Sequence, residues 1–203
     1  MNWDSIVESL RPELESRHKA RESALAAQRK IIQTSSKCIR HIHRHQFDEA
    51  RALLAEAKQL AHDTRAAISG QPEILHAGYL QDAEKEVVEA AGLLAIVLQE
   101  PYPTPAELCV EPASYLNGMA EAASEGRRYL LDQMRAGNME ESQRLLRDME
   151  TIYDDLITFD YPDGMTGGLR RTCDALRAVI ERTRSDVTLT LIQNDLLKEL
   201  RER

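Results

Sequence analysis

Val87-Val88-Glu89-Ala90-Ala91-Gly92-Leu93-Leu94-Ala95-Ile96-Val97-Leu98 is the most apolar run in an otherwise charged chain, and its reading decides the fold class. The run shows no two-residue alternation of the kind a half-buried strand requires, and it stops short of the roughly 20 residues that span a membrane. A buried helix is the remaining reading. Glu89 sits near its start, and a carboxylate taken out of water is normally paired, protonated or bound to a metal. Glu86 lies three residues earlier, on the same side of a helix.

Composition extends the helical reading to the whole chain. Aromatic residues are 4% and hydrophobic residues 42% of the 203, a balance poor in strand formers, while the helix formers Ala, Leu, Glu, Arg and Gln dominate. One domain covering residues 1–203 is expected at this length. The formal net charge of −8 excludes a surface coated in basic residues, so any nucleic-acid site has to be local. Cys38, Cys109 and Cys173 are widely separated and form no CxxC pair, which indicates neither a disulfide framework nor a zinc ribbon and fits a reducing compartment. Met1-Asn2-Trp3-Asp4 lacks the basic start of a signal peptide. A soluble, cytoplasmic protein without a membrane partner is expected.

Prolines and glycines punctuate the chain. Pro12, Gly70-Gln71-Pro72, Pro101 to Pro105, Glu111-Pro112, Gly137-Asn138 and Tyr161-Pro162-Asp163-Gly164 divide it into an all-α bundle of about seven helices. These are expected over 12–45, 47–69, 72–99, 105–110, 113–136, 139–159 and 166–200. Thr104-Pro105-Ala106-Glu107 reads as an N-cap, a first-turn proline and an early acid. Gly164, Gly167 and Gly168 read as a turn, because no strand precedes them as a phosphate-cradling loop requires. Leu189, Ile192, Leu196, Leu197 and Leu200 form a stripe that fits docking on the bundle or on another subunit.

The first helix is amphipathic in an informative way. Over Lys30 to His45, Ile31, Ile32, Cys38, Ile39 and Ile42 fall on one side, and Lys30, Lys37, Arg40, His41 and Arg44 on the other, with no acidic residue among them. Two readings stand side by side: a track for phosphates, or a solvated face that complements acidic residues elsewhere in the chain. His41 and His43, two apart, point about 200° from each other on a helix and are assigned no metal.

Glu121 and Glu125 form a second acidic pair at i, i+4 spacing. If their helix packs beside that of Glu86 and Glu89, four carboxylates converge and suit a hard cation such as Mg²⁺ or Mn²⁺. The ordinary reading is that Glu121, Glu125, Arg128 and Asp132 form a solvent-facing stripe, and that Asp82, Glu84 and Glu86 are the wet end of a buried helix. Glu89 resists that reading, because its neighbours are apolar.

Several segments together resemble the translin superfamily over about residues 10–197. They are Ser35-Ser36-Lys37 running to Ile42-His43-Arg44, Glu86-Val87-Val88-Glu89-Ala90, Tyr115-Leu116-Asn117-Gly118 with Glu125-Gly126-Arg127-Arg128, and Leu169-Arg170-Arg171-Thr172-Cys173-Asp174-Ala175-Leu176. The resemblance implies a hollow homo-oligomer, expected to be octameric, that takes single-stranded RNA and possible single-stranded DNA as partners. Its catalytic branch has Glu-x-x-Glu-Ala on one helix and Asp-x-x-x-Glu on the next, matching Glu86, Glu89, Glu121 and Glu125. By that resemblance these four are the metal and catalytic residues of a Mg²⁺-dependent endoribonuclease, with Mn²⁺ as an alternative ion, and Glu89 is expected to face Glu125 across the ion. Lys37, Arg40, His41, Arg44, Arg127 and Arg128 are the implied nucleic-acid contacts.

The chain departs from the pattern at three places. Glu121 stands where the catalytic branch has Asp, Gly126 replaces a usual Leu, and Ala83-Glu84-Lys85 replaces Gly-Leu-Gln. Two rival functions follow: a non-catalytic RNA- or DNA-binding protein of translin type, and a helical assembly protein with no nucleic-acid role.

Overall fold

The computed structural model describes residues 2–202 and is built from helices alone among them. In chain order these are α1 (Trp3–His43), α2 (Phe47–Ile68), α3 (Pro72–Leu75), α4 (Tyr79–Leu98), α5 (Pro105–Leu108), α6 (Pro112–Arg135), α7 (Met139–Leu156), α8 (Asp163–Thr166) and α9 (Leu169–Arg201). The expected all-α bundle is present. Nine helices stand where seven were expected, because Gly78 breaks the expected 72–99 segment and a one-turn α8 forms within the stretch expected as a turn, so that α9 starts at Leu169. Gly78, at φ 91°, separates α3 from α4, and Gly167 and Gly168, at φ 61° and 82°, separate α8 from α9. A side chain would make each of these conformations costly.

Pro12 does not start the first helix, as its position suggested. Asn2 Oδ1 accepts from the Ser5 N–H at 2.9 Å and caps a start at Trp3, and the helix runs through the proline. Proline removes one backbone bond and strains the preceding turn, a local cost that this helix carries far from the core. The exposed arm so formed bears Trp3, Ile6, Leu10 and Leu14 in the open. Other boundaries follow their punctuation. Thr104 and Glu107 form a reciprocal capping box at the start of α5, and α1 ends before His45, whose φ is 58°.

The apolar run places α4 at the centre, against α6, α1 and α2, while α6 continues the packing to α7 and α9. Every residue from Ala90 to Val97 is buried. Full burial of a side chain such as Leu93 or Ile96 contributes about 1.5–3 kcal/mol relative to leaving it in water. Among the described residues, no helix is long and apolar enough to cross a membrane.

Two glycines set the distance between α4 and α6. A Cβ on Gly118 of α6 would lie 2.5 Å from Val88 Cβ and 2.7 Å from the Lys85 carbonyl oxygen. One on Gly92 of α4 would lie 2.9 Å from Ala122 Cβ and from Met119 Sδ. The two helices therefore meet backbone to side chain, closer than any larger residue permits.

Glu84 corrects the reading of a wet helix end, since it is wholly buried. The cause is α2, which brings Arg65 across. Its Nε and Nη2 donate to Glu84 Oε1 at 2.9 and 2.7 Å, and its Nη1 donates to Glu111 Oε1 at 2.8 Å. Burial raises the Glu84 pKa, and Arg65 opposes that rise. Such a pair costs more to break than it gains by forming, because removing one partner leaves an uncompensated charge.

Gly118→Ala should lower unfolding stability by about 1–3 kcal/mol through overpacking, read from urea denaturation. Gly70→Ala, where an added Cβ has nothing within 4 Å, should not. Equal effects at the two positions would contradict the close approach of α4 and α6.

Candidate metal and nucleic-acid site

Glu86 and Glu89 lie one turn apart on α4, and Glu121 lies on the facing turn of α6, one turn beyond Gly118. One carboxylate oxygen from each of the three can be taken so that all lie within 4.8 Å of one another. The close packing at Gly118 and Gly92 makes this possible, because it brings the α4 stripe against the α6 stripe with no bulky side chain between. All three carboxylates are half-buried.

Their electrostatics follow from the crowding. Glu89 is pushed up to about 8, first by burial and then by Glu86, Glu121 and Glu125. Glu86 is also raised, by burial and by Glu121. Like charges this close hold a proton or require a cation. A half-buried trio of carboxylate oxygens suits a hard divalent ion that keeps several waters, such as Mg²⁺ or Mn²⁺.

The fourth expected acid, Glu125, stands beside the trio and is turned to another partner. His43 Nε2 donates to Glu125 Oε1 at 2.6 Å, and Arg128 lies 3.9 Å away. The His43 side chain is only 2% exposed, and its buried Nδ1 has no hydrogen-bond partner among the described residues. The oxygens brought together thus belong to Glu86, Glu89 and Glu121, with Glu125 held by α1. Lys85 also enters the site, its Nζ donating to Glu121 Oε1 at 2.8 Å.

Lys85 and His43 were not legible as site residues. Both act across helices distant in sequence, although Lys85 stands in the sequence directly beside Glu86.

The basic face of α1 divides. Lys30 pairs with Glu56 at 3.2 Å, as the complementing reading expects. Lys37, Arg40 and Arg44 have no carboxylate partner among the described residues; Arg40 and Arg44 are exposed, and Lys37 and His41 are half-buried. Arg127 is otherwise engaged, donating to Thr183 Oγ1 at 2.9 Å and to Asp186 Oδ2 at 2.8 Å, which ties α6 to α9. Arg128 is exposed.

A carboxyl raised in the fold binds its proton more tightly there than in the unfolded chain. Its contribution is therefore intact below its ordinary value of 4.5 and is lost as pH rises toward about 8. Metal-free protein should lose resistance to urea between about pH 5 and pH 8, and Glu89→Gln should flatten much of that loss. A wild-type profile that the substitution leaves unchanged would contradict the crowding of these carboxylates.

No family model matches the chain. An uncharacterized protein of Methanocaldococcus jannaschii is 32% identical over 188 residues, which cover 92% of this chain and 82% of that protein. Among solved structures, AfC3PO shares 35% identity at a TM-score of 0.85, over 92% of this chain and 97% of that one, both in a crystal structure of AfC3PO and in a structure of its complex with duplex RNA. NeC3PO in its apo form superposes with a TM-score of 0.82 at 21% identity, over 91% of this chain and 96% of that one, a likeness of fold.

Proposed function

Since the chain belongs to the translin superfamily, we propose that it is a metal-dependent endoribonuclease that works as a homo-oligomer on RNA. The observation that carries this reading is the convergence of Glu86, Glu89 and Glu121 within 4.8 Å. Those three residues would hold a Mg²⁺ or Mn²⁺ ion, with Glu125 kept alongside by His43. A divalent ion held there would supply a lowered pKa for bound water and a counter-charge for the phosphodiester. Glu89, raised by burial and by its acidic neighbours, would give up its proton as the ion binds, so loading is favoured by rising pH.

Phosphates would be held by Lys37, Arg40 and Arg44 of α1, whose charges have no carboxylate partner among the described residues, with His41 beside them as a hydrogen-bonding group. Arg128 is the exposed member of the second basic pair, whereas Arg127 contributes by fixing α6 against α9. The RNA complex formed by AfC3PO supports RNA as the ligand class. Because that RNA is a duplex, single-stranded RNA, duplex RNA and single-stranded DNA should be compared directly.

Two exposed apolar stripes support self-assembly. Trp3, Ile6, Leu10 and Leu14 lie on the arm of α1, and Leu189, Ile192, Leu196, Leu197 and Leu200 lie near the end of α9. Apolar side chains repeated along overhanging helices mark protein interaction surfaces. An octameric shell of this single-domain chain, acidic outside with its basic track inside, would confine RNA to the cavity and is consistent with the net charge of −8. A cytoplasmic location belongs to the same reading.

One observation favours the non-catalytic alternative: the Lys85 ammonium already neutralises the Glu121 corner. Labelled RNA incubated with purified protein decides between the two. Cleavage should appear in Mg²⁺, vanish in EDTA, and fall about a hundredfold or more in Glu89→Gln, with RNA still bound. Lys37→Glu with Arg40→Glu should weaken binding and flatten its salt dependence by about two phosphate contacts. Intact RNA in every lane with salt-sensitive binding would support the alternative, and no binding at all would leave an assembly protein.

A further inference from the structure

Lys85 puts a compact cation into the acidic corner. Its Nζ lies 2.8 Å from Glu121 Oε1, and the two side chains are covered to the same degree, at 30% and 31% exposure. An ammonium has three donors and no acceptor, so it serves here as a counter-ion to one of the three carboxylates that offer oxygens within 4.8 Å. A divalent ion seated on those oxygens would draw on the same negative charge, and it would repel an ammonium at contact distance.

Asp82 offers the ammonium somewhere else to go. It lies three residues before Lys85 on α4, a spacing at which side chains meet, and it is exposed with no ion-pair partner among the described residues. Asp82 and Lys85 both border an open cleft of about 580 Å³ that Gln81, Ser114, Asn117 and Thr172 also line. The flexible four-carbon stem of lysine can swing within such a space. Ion pairs that are a third exposed are weak enough to exchange.

Resting on the metal-site reading above, we propose that Lys85 is a built-in counter-ion of Glu121 that a divalent cation displaces toward Asp82. Lys85 is then a positioning residue that sets the concentration at which the cluster fills. In the metal-free protein it offsets repulsion among Glu86, Glu89 and Glu121.

Mn²⁺ binding to the full-length protein without RNA, followed by electron paramagnetic resonance of the free ion at fixed pH and salt, tests this directly. Lys85→Met should tighten Mn²⁺ binding about fivefold or more. Asp82→Asn should weaken it in the wild-type background and change it much less in the Lys85→Met background. A merely structural lysine would give the opposite sign, because its loss would loosen the site. Lys85→Gln, which keeps a polar head of similar length, should tighten binding in the same direction and serves if the Met variant does not fold. Unchanged or weaker Mn²⁺ affinity in both Lys85 variants overturns the proposal, while loss of binding in Glu89→Gln would still uphold the metal site. Failure of wild type and Lys85 variants alike to bind Mn²⁺ overturns both.

Discussion

The approach of α4 to α6 is the constraint on which the rest of the structure depends. Gly118 admits Val88 and the Lys85 carbonyl at distances no Cβ tolerates, and Gly92 admits Ala122 and Met119 in the same way. This contact seals the most apolar helix of the chain into the centre of the bundle. It also fixes the gap between Glu86 and Glu89 on one helix and Glu121 on the other. Core and site are thus two outcomes of one interhelical distance, and the site rests on rigid helical backbone.

Such packing concentrates acidic groups where water is scarce, and the structure answers with a separate cation or donor for most of them. Arg65 reaches from α2 to the wholly buried Glu84, His43 reaches from α1 to Glu125, and Lys85 covers Glu121. Glu86 and Glu89 are the pair without an ion-pair partner among the described residues, and both are raised. This uneven compensation separates the structural acids from the chemically available ones. A carboxylate with its own guanidinium supports the fold, whereas crowded carboxylates with none invite a proton or a divalent ion.

Much of the fold was legible because prolines and caps are local signals. The start of α5 follows from Thr104 and Glu107, and the centre of α4 from its unbroken apolar run. The break at Gly78 escaped because a glycine in a helical pattern can either continue the helix or end it, and only a left-handed φ decides, whereas the turn read at Gly167 and Gly168 is present as left-handed backbone. Pro12 misled for the converse reason: it lies nine residues downstream of the true start at Trp3, and the Asn2 cap together with the turns that follow outweighs one lost backbone bond. At the site, the i, i+3 spacing of Glu86 and Glu89 is a property of one helix and was readable. The choice of Glu121 over Glu125 as the third close carboxylate depends on how α1 and α6 meet, since His43 draws Glu125 aside. Lys85 and Glu121 are joined across 36 residues of sequence, a pairing that no helical period encodes. The freedom of Lys37, Arg40 and Arg44, against the pairing of Lys30, likewise needed the neighbouring helix α2 to be in place.

On the function proposed above, the glycine-mediated contact of α4 with α6 would build a divalent-cation site from Glu86, Glu89 and Glu121. Anomalous diffraction from crystals of the full chain grown or soaked in Mn²⁺ tests it most directly. One strong peak is expected within about 2.0–2.6 Å of a carboxylate oxygen from each of the three residues. Ordered carboxylates with no peak between them, or a Mn²⁺ peak held by other residues, would contradict it.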